Sequence, residues 1–453
     1  MRQDSWDHSL TTNSEEAAAA MDRAVKSYVA WRTDTMDHLA AAIAADADFA
    51  LPHAIKGLLM LGLRKPELHA PAQKMLDAAR AARPPETARE RLYIKALEAA
   101  LSGQITGAVT RYEAIAAENP HDLLALRLAQ FELFWIGEVA WMRDISERAA
   151  PAWGEGDAGL GAYLAIRSFG LEETGAYAEA EKCGRRAVDL DPTDPWGAHA
   201  VAHVLVMQGR LGDGVEWVQG LTGNWDAANH IRHHNWWHLA LFHVEARDYE
   251  SALAIYDERL RDLDSPLMQA VPDFYVDIQN DTALLQRLEL RGVDVGARWG
   301  DVGELAATRV GNHESPFTSA HCALALAAAG RMAEANELVA RMHEFVAEDS
   351  GMPGGTLGPR YALAAIPAAE AAIAHRQGEH QRVLDILMPA RRNLWQMGGS
   401  HAQRDLFFQL LADSAFRLGR RDILAVFFEE VRGIGLDHLE ERSSYADALA
   451  MAH

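Results

Sequence analysis

A short turn followed by small residues at helical spacing recurs along the chain, and it is clearest between Ser168 and Pro192. This unit combines a turn glycine, an aromatic residue beside it, two small residues and a terminating proline: Gly175, Tyr177, Ala180, Ala187 and Pro192. The small residues let two paired helices approach closely, and proline cannot continue a helix. A single helical hairpin cannot bury its apolar face, so the sequence predicts that such hairpins stack on one another.

The positions of these residues match the tetratricopeptide repeat, whose period is about 34 residues. Further turn glycines extend the pattern in both directions: Gly103, Gly137, Gly209, Gly330, Gly378 and Gly419. The predicted units are residues 89–122, 161–194, 195–226, 233–262 and 316–346, with irregular inserts at 260–301 and 347–360. We therefore expect residues 1–453 to form one all-α, tetratricopeptide-like superhelix, an α-solenoid with a concave central groove.

Composition supports this fold and narrows the partners. Alanine runs favour helix, and Val and Ile never form the alternating runs that strands need. The net charge is 43 − 65 = −22, without a basic run that could neutralise phosphates, so neither nucleic acid nor an anionic membrane surface is expected as a partner. A chain of 453 residues is also long for one compact core but suits a solenoid.

The two cysteines and the N-terminus bear on the compartment. Cys183 and Cys322 are far apart and form no Cys-x-x-Cys motif, so neither a disulfide framework nor a thiolate zinc site is expected. The first residues lack the apolar core of a secretory signal, and no apolar stretch is long enough for a membrane span. These features predict a cytoplasmic protein.

Two histidine pairs carry the strongest chemical signal. His199 and His203 are four residues apart, as are His234 and His238, so on a helix both rings of a pair project from one face. Counted from the turn glycines, both pairs fall on first helices of consecutive units, which line the groove in tetratricopeptide folds. The two pairs are therefore expected to face one pocket.

Four neutral imidazoles are ligands for a transition metal, and we expect zinc or iron rather than calcium or magnesium. His53 and His321 are further candidate ligands. The alternative is that these are interior histidines satisfied by hydrogen bonds. His230 and His233 are expected to point away from the His234 face and are left out of the ligand set. Trp236 and Trp237 are expected to be core residues.

Two other groups are weaker candidates for catalysis. Asp277 and Asp281 fall in the first irregular insert, from which a carboxylate could reach the groove, although solvated turn or cap residues are the commoner case. Arg404 follows the Gly398-Gly399-Ser400 turn and could bind a substrate carboxylate, although an N-cap with an Arg–Asp brace is favoured. His-Glu-x-x-His, Walker and Gly-x-Ser-x-Gly motifs do not occur, so nucleophilic catalysis has no support.

Several stretches together resemble one known family, and they include both histidine pairs. They are Asp194-Pro195-Trp196, His199 to His203, His234 to His238, Gly292 to Gly296 with Arg298-Trp299, and Gly398-Gly399-Ser400 with Ala402 to Asp405, together with His53 and His321. On these residues the chain resembles the tetratricopeptide repeat protein 38 family over nearly its whole length. His401 stands where that family would have Asn and is not counted as a ligand. The resemblance implies an all-helical, soluble, intracellular protein without a settled activity.

These observations lead to one functional hypothesis and two rivals. The leading one is a helical-repeat protein whose pocket binds a transition metal through paired histidines and holds a small polar ligand or substrate. If such a protein is an enzyme, we expect a metal-dependent hydrolase or an oxygen-using enzyme. The first rival is a tetratricopeptide scaffold that binds a peptide or partner protein without catalysis. The second is a homodimerisation module, with a surface around Phe427 and Phe428. Loss of metal binding below about pH 6 is expected, because ligating imidazoles must be neutral.

Overall fold

The structure, a computed structural model, describes residues 1–349, 354–432 and 438–452. The all-α expectation is confirmed: in these residues strand is confined to a small antiparallel pair, β1 (Arg2–Gln3) and β2 (Ser9–Leu10). Everything else of regular structure is helical. Within the same residues no helix combines the length and the apolar character needed to cross a bilayer.

The N-terminal half consists of consecutive helices joined by short turns. They are α1 (Glu15–Val29), α2 (Thr35–Ala45), α3 (Ala50–Gly62), α4 (His69–Ala81), α5 (Ala88–Leu101), α6 (Ile105–Glu118), α7 (Leu123–Trp135), α8 (Val139–Ala149), α9 (Leu160–Glu172), α10 (Tyr177–Leu190), α11 (Pro195–Met207) and α12 (Leu211–Leu221). Short 3-10 segments lie at Pro66–Leu68, Ala150–Ala152 and Thr222–Asn224.

The C-terminal half continues in the same way. It contains α13 (Ile231–Glu245), α14 (Tyr249–Ile255), α15 (Pro266–Ala270), α16 (Tyr275–Glu289), α17 (Trp299–Ala307), α18 (Pro316–Ala328), α19 (Met332–Asp349), α20 (Gly358–Arg360), α21 (Ile366–Arg376), α22 (His380–Ala390), α23 (His401–Arg417), α24 (Arg421–Arg432) and α25 (Ala446–Ala452). The π-helical segments are Tyr256–Leu260 and Tyr361–Ala365, and 3-10 segments lie at Gly296–Arg298, Arg391–Met397, Leu439–Glu441 and Ser443–Tyr445.

Glycine at the helix ends produces the hairpins. Gly175 follows α9 with φ +82°, a left-handed conformation that costs other residues energy, and its N–H donates to the Glu172 carbonyl at 2.9 Å. Gly209 has the same role between α11 and α12, with φ +66°. At the other end of α11, Asp194 caps the helix and Pro195 occupies its first turn. Local chemistry thus fixes where the histidine-bearing helices begin and end.

The first predicted insert, 260–301, is not irregular, because it contains α15, α16 and the start of α17. Almost every residue of α16 is buried, including Asp277, Asn280 and Asp281. A helix that buries polar residues on one side and apolar residues on the other lacks the usual one-sided hydrophobic pattern, which explains the error. In the second predicted insert, α19 continues to Asp349 and α20 begins at Gly358, whereas residues 350–353 lie outside the described residues.

The proposed dimer surface at Phe427 and Phe428 is also wrong, because both side chains are buried beside Tyr445, just before α25. The C-terminal segment is held across two helices by Arg442, whose guanidinium lies 3.2 Å from Glu245 of α13 and 2.5 Å from Asp405 of α23. The segment that contains Tyr445 and α25 therefore covers this apolar face, as a capping helix does in repeat proteins.

Candidate metal centre

The structure brings the two histidine pairs together. His199 and His203 lie on α11, His234 and His238 lie on α13, and these helices pack side by side. One ring nitrogen from each of the four histidines lies within 4.8 Å of the other three. Nε2 of His199 and Nε2 of His203 are 2.9 Å apart. We call these four residues the four-histidine centre.

Burial keeps the imidazoles uncharged. None of the four residues is more than 5% exposed. Loss of hydration lowers the pKa of His234 to about 4 and, with help from the neighbouring rings, lowers the pKa of His199, His203 and His238 well below the ordinary range. Neutral imidazole is the form that binds a metal, so at pH 7 all four rings are ready to act as ligands.

Aromatic side chains fix the ring positions. Trp196 stacks on His199 with ring centroids 4.4 Å apart, and Trp237 stacks on His234 at 5.1 Å. Trp237 is fully buried, as expected for a core residue, whereas Trp236 is partly buried and packs against the core from its edge. One apolar ring therefore lies against one histidine of each pair.

The hydrogen bonds of the four rings show which nitrogens are available to bind a metal. Nδ1 of His234 donates to Oδ1 of Asn280 at 2.8 Å, which leaves Nε2 with its lone pair. Nδ1 of His199 and both ring nitrogens of His238 have no hydrogen-bond partner among the described residues. Buried polar atoms are normally paired, and unpaired ones call for an explanation such as a bound ion. An all-nitrogen donor set fits zinc, iron, copper or nickel.

Two glutamates that the sequence did not single out lie behind His203. Glu172 ends α9, Glu173 follows it, and both are fully buried. Nδ1 of His203 is 3.5 Å from Oε2 of Glu172 and 3.8 Å from Oε1 of Glu173. Burial, and then the Glu173 carboxyl, raise the pKa of Glu172 well above its ordinary value. In the sequence the two residues look like the polar end of a helix, so their contact with His203 is visible only in the structure.

Arg404 is buried and bound on both sides. Nη1 binds the Gly399 carbonyl, and Nη2 lies 3.8 Å from Oε2 of Glu173. The expected N-cap is present, since Ser400 and Gln403 form a capping box. The expected Arg–Asp brace is wrong, because Asp405 instead contacts Arg442 and Tyr445. Arg404 therefore faces the buried glutamates rather than an open pocket.

Asp277 lies in a different group. Oδ2 is 2.5 Å from Nδ1 of His230, and Oδ1 is 3.2 Å from Nδ1 of His233, with all three residues buried. Burial would raise the pKa of Asp277, but the two imidazoles outweigh it and lower the pKa to about 2. His230 and His233 thus point away from the four-histidine centre, as expected, and they share one carboxylate. Its neighbour Asp281 is buried on the same helix, 3.6 Å from Arg261.

The two additional candidate ligands do not join the four-histidine centre. His53 contacts the Ala47 carbonyl through Nε2 at 3.1 Å. His321 donates from Nδ1 to the Phe317 carbonyl at 2.9 Å, and burial lowers its pKa to about 4. Both are explained as interior histidines with a backbone partner. His401, which was excluded, donates from Nε2 to the carbonyl of Glu173 at 3.0 Å.

Comparison with known proteins gives a coarse result. No protein-family model matches the chain, so membership of the tetratricopeptide repeat protein 38 family stays a prediction. Among solved structures, the chain is similar to that of the human IFIT1 dimer with m7Gppp-AAAA. The TM-score is 0.40 and the identity 12%, over 99% of this chain and 96% of that chain. The absence of a nucleic-acid partner likewise stays a prediction that depends on the net charge of −22.

Proposed function

We propose that this protein is a metalloprotein in which His199, His203, His234 and His238 hold one transition-metal ion, zinc or iron. The observation that carries this proposal is the convergence of four buried imidazoles from two helices, with ring nitrogens that lack hydrogen-bond partners among the described residues. Each buried polar atom left unpaired costs about 1–3 kcal/mol. A bound ion takes up one nitrogen of each ring, including one of the two unpaired nitrogens of His238.

The distances are compatible with one ion. Zinc–nitrogen bonds of about 2.0–2.1 Å place tetrahedral ligand atoms about 3.3 Å apart. One pair of nitrogens is 2.9 Å apart and all four lie within 4.8 Å of one another, so the rings need to draw together only slightly to reach this spacing. The carboxyl groups of Glu172 and Glu173 lie on the outer side of His203, 3.5 and 3.8 Å from Nδ1, where outer-shell carboxyl groups orient a ligating imidazole.

The enclosed position limits what can bind beside the ion. Zinc with four protein ligands is saturated, whereas an iron ion that accepts six ligands keeps two positions for a small polar molecule. One helical turn beyond His203 and His238, a cavity of about 10 Å³ lies between Val206, Leu241 and Arg287. Such a volume admits about one water. Because none of the four histidines is more than 5% exposed, we infer a ligand or substrate of few atoms, and a larger one requires the helices to move apart.

The test is the metal content of tag-free protein, measured by mass spectrometry. We expect about one equivalent or more of zinc or iron in the wild type, and its loss in the double variant His203→Ala/His238→Ala. His53→Ala is the matched control, since it removes a buried imidazole outside the four-histidine centre. A metal-free wild type that also fails to take up zinc, iron, manganese or copper would refute the proposal and favour the peptide-binding scaffold.

A further inference from the structure

The carboxyl groups behind His203 are unusual in their own right. Glu172 and Glu173 are adjacent in sequence and fully buried, and both carboxyl groups lie beside the His203 ring. Neither oxygen of Glu172, nor Oε2 of Glu173, has a hydrogen-bond partner among the described residues. Carboxyl groups are almost never fully buried unless they are paired or bind a metal. The pair therefore needs a counter-charge.

The cations nearby cannot provide all of it. Arg404 approaches Glu173 and not Glu172, and it uses Nη1 for the Gly399 carbonyl. The backbone N–H of His401 donates to Oε1 of Glu173 at 3.3 Å. Both of these contacts serve Glu173. Glu172 has only the longer-range attraction of Arg404 and a contact with the Glu173 carboxyl group, which requires a proton between the two groups.

His203 contributes a third ligand atom to the same place. Nε2 faces His199 in the four-histidine centre, whereas Nδ1 faces the two carboxyl groups and has no hydrogen-bond partner in the described part of the chain. One nitrogen of His203 and one oxygen from each glutamate lie within 4.8 Å of one another. Two carboxylates and one imidazole form a donor set typical of iron, manganese and zinc.

We propose that Glu172, Glu173 and Nδ1 of His203 bind a second divalent metal ion, so that the His203 ring bridges two ions. This inference rests on the proposed function, because the first ion is the one held by the four-histidine centre. Binding of the second ion displaces two protons, one from the Glu172 carboxyl and one from Nδ1 of His203, and both leave to solvent. Because an imidazole ring separates them, the two ions lie further apart than the about 3.5–4 Å of two-metal hydrolytic sites.

Metal stoichiometry after reconstitution with manganese or zinc tests the inference. We expect two ions per chain in the wild type, one in Glu172→Gln/Glu173→Gln, and one in His199→Ala/His238→Ala. Glu179→Gln is the control, since this carboxylate lies on the surface of α10, and it should retain two. One ion in both the wild type and the glutamate variant would overturn the second site and leave the first. Two ions in the glutamate variant would also overturn it, and a metal-free wild type would refute both sites.

A measurement on the wild type alone guards against variants that fail to fold. Two Cu²⁺ ions bridged by one imidazole are magnetically coupled, whereas separate ions are not. After loading with excess Cu²⁺, we expect the electron paramagnetic resonance signal to integrate to well below two spins per two bound ions. Full intensity with the line shape of isolated copper would overturn the bridge.

Discussion

Replacing Asn280 with Leu tests whether the surroundings of the imidazoles are arranged for metal binding. Oδ1 of Asn280 accepts the hydrogen from Nδ1 of His234 at 2.8 Å, and this contact holds the ring with Nε2 toward the centre. Loss of such an outer partner typically lowers metal affinity about 10–100-fold. At about 1.4 kcal/mol per tenfold, this is about 1.4–2.8 kcal/mol of binding free energy. Competition against a chromophoric zinc chelator measures it.

Gln279→Met is the matched control for this experiment. Gln279 is buried on the same helix, donates to Thr318 at 2.7 Å, and forms no hydrogen bond with the four imidazoles. Each substitution removes one buried hydrogen bond, so both should lower the stability of the metal-free protein by about 1 kcal/mol. Only Asn280→Leu should weaken metal binding. Equal effects of the two substitutions on zinc affinity would show that general loosening, rather than orientation of His234, governs the site.

Three further predictions follow from groups described above. Folding lowers the pKa of His234 from 6.5 to about 4, so the free energy of unfolding is highest above pH 6.5 and decreases as the pH falls toward 4. Denaturant titrations between pH 8 and 4 should show this decrease. A flat profile would contradict burial of the neutral ring. Asp277→Asn should destabilise the protein by about 2 kcal/mol, because the folded protein lowers the pKa of this carboxyl group from 3.8 to about 2. The metal content should stay unchanged. Loss of metal would instead place Asp277 in the four-histidine centre. Gly175→Ala should lower the free energy of unfolding by about 1 kcal/mol, because φ is +82° at this residue. Gly212→Ala, in α12 with open space around it, should raise the free energy of unfolding by about 0.5–1 kcal/mol. Thermal denaturation distinguishes the two variants, and equal shifts in Tm would argue against the turn at Gly175.

Local sequence signals predicted the helical class and the histidine pairs well. A four-residue spacing on a helix fixes two rings on one face whatever the surroundings, and turn glycines such as Gly175 and Gly209 report a backbone conformation that few other residues adopt. The expectation that both pairs meet needed one further step, the side-by-side packing of consecutive first helices. Each of these signals depends on residues close together in the chain.

Contacts between distant segments were beyond the sequence. Glu172 of α9 contacts His203 of α11, and Asp405 pairs with Arg442 rather than with its neighbour Arg404. Helix α16 was not predicted, because its buried polar residues interrupt the hydrophobic pattern by which a helix is recognised. In both contacts the partner lies in another segment of the chain, and no spacing rule in the sequence says which segments meet. The same reasoning explains why the glutamates behind His203 were not foreseen.

The division of the four histidines between two hairpins has a consequence for assembly of the chain. Each pair alone offers only two nitrogens, so the full donor set exists only while α11 and α13 are docked against each other. In a repeat protein, adjoining units can separate without unfolding internally. An ion shared between two units penalises that separation and joins their unfolding into one event. The metal would then act as a reversible cross-link, and amide exchange in α11 and α13 would slow together when it binds.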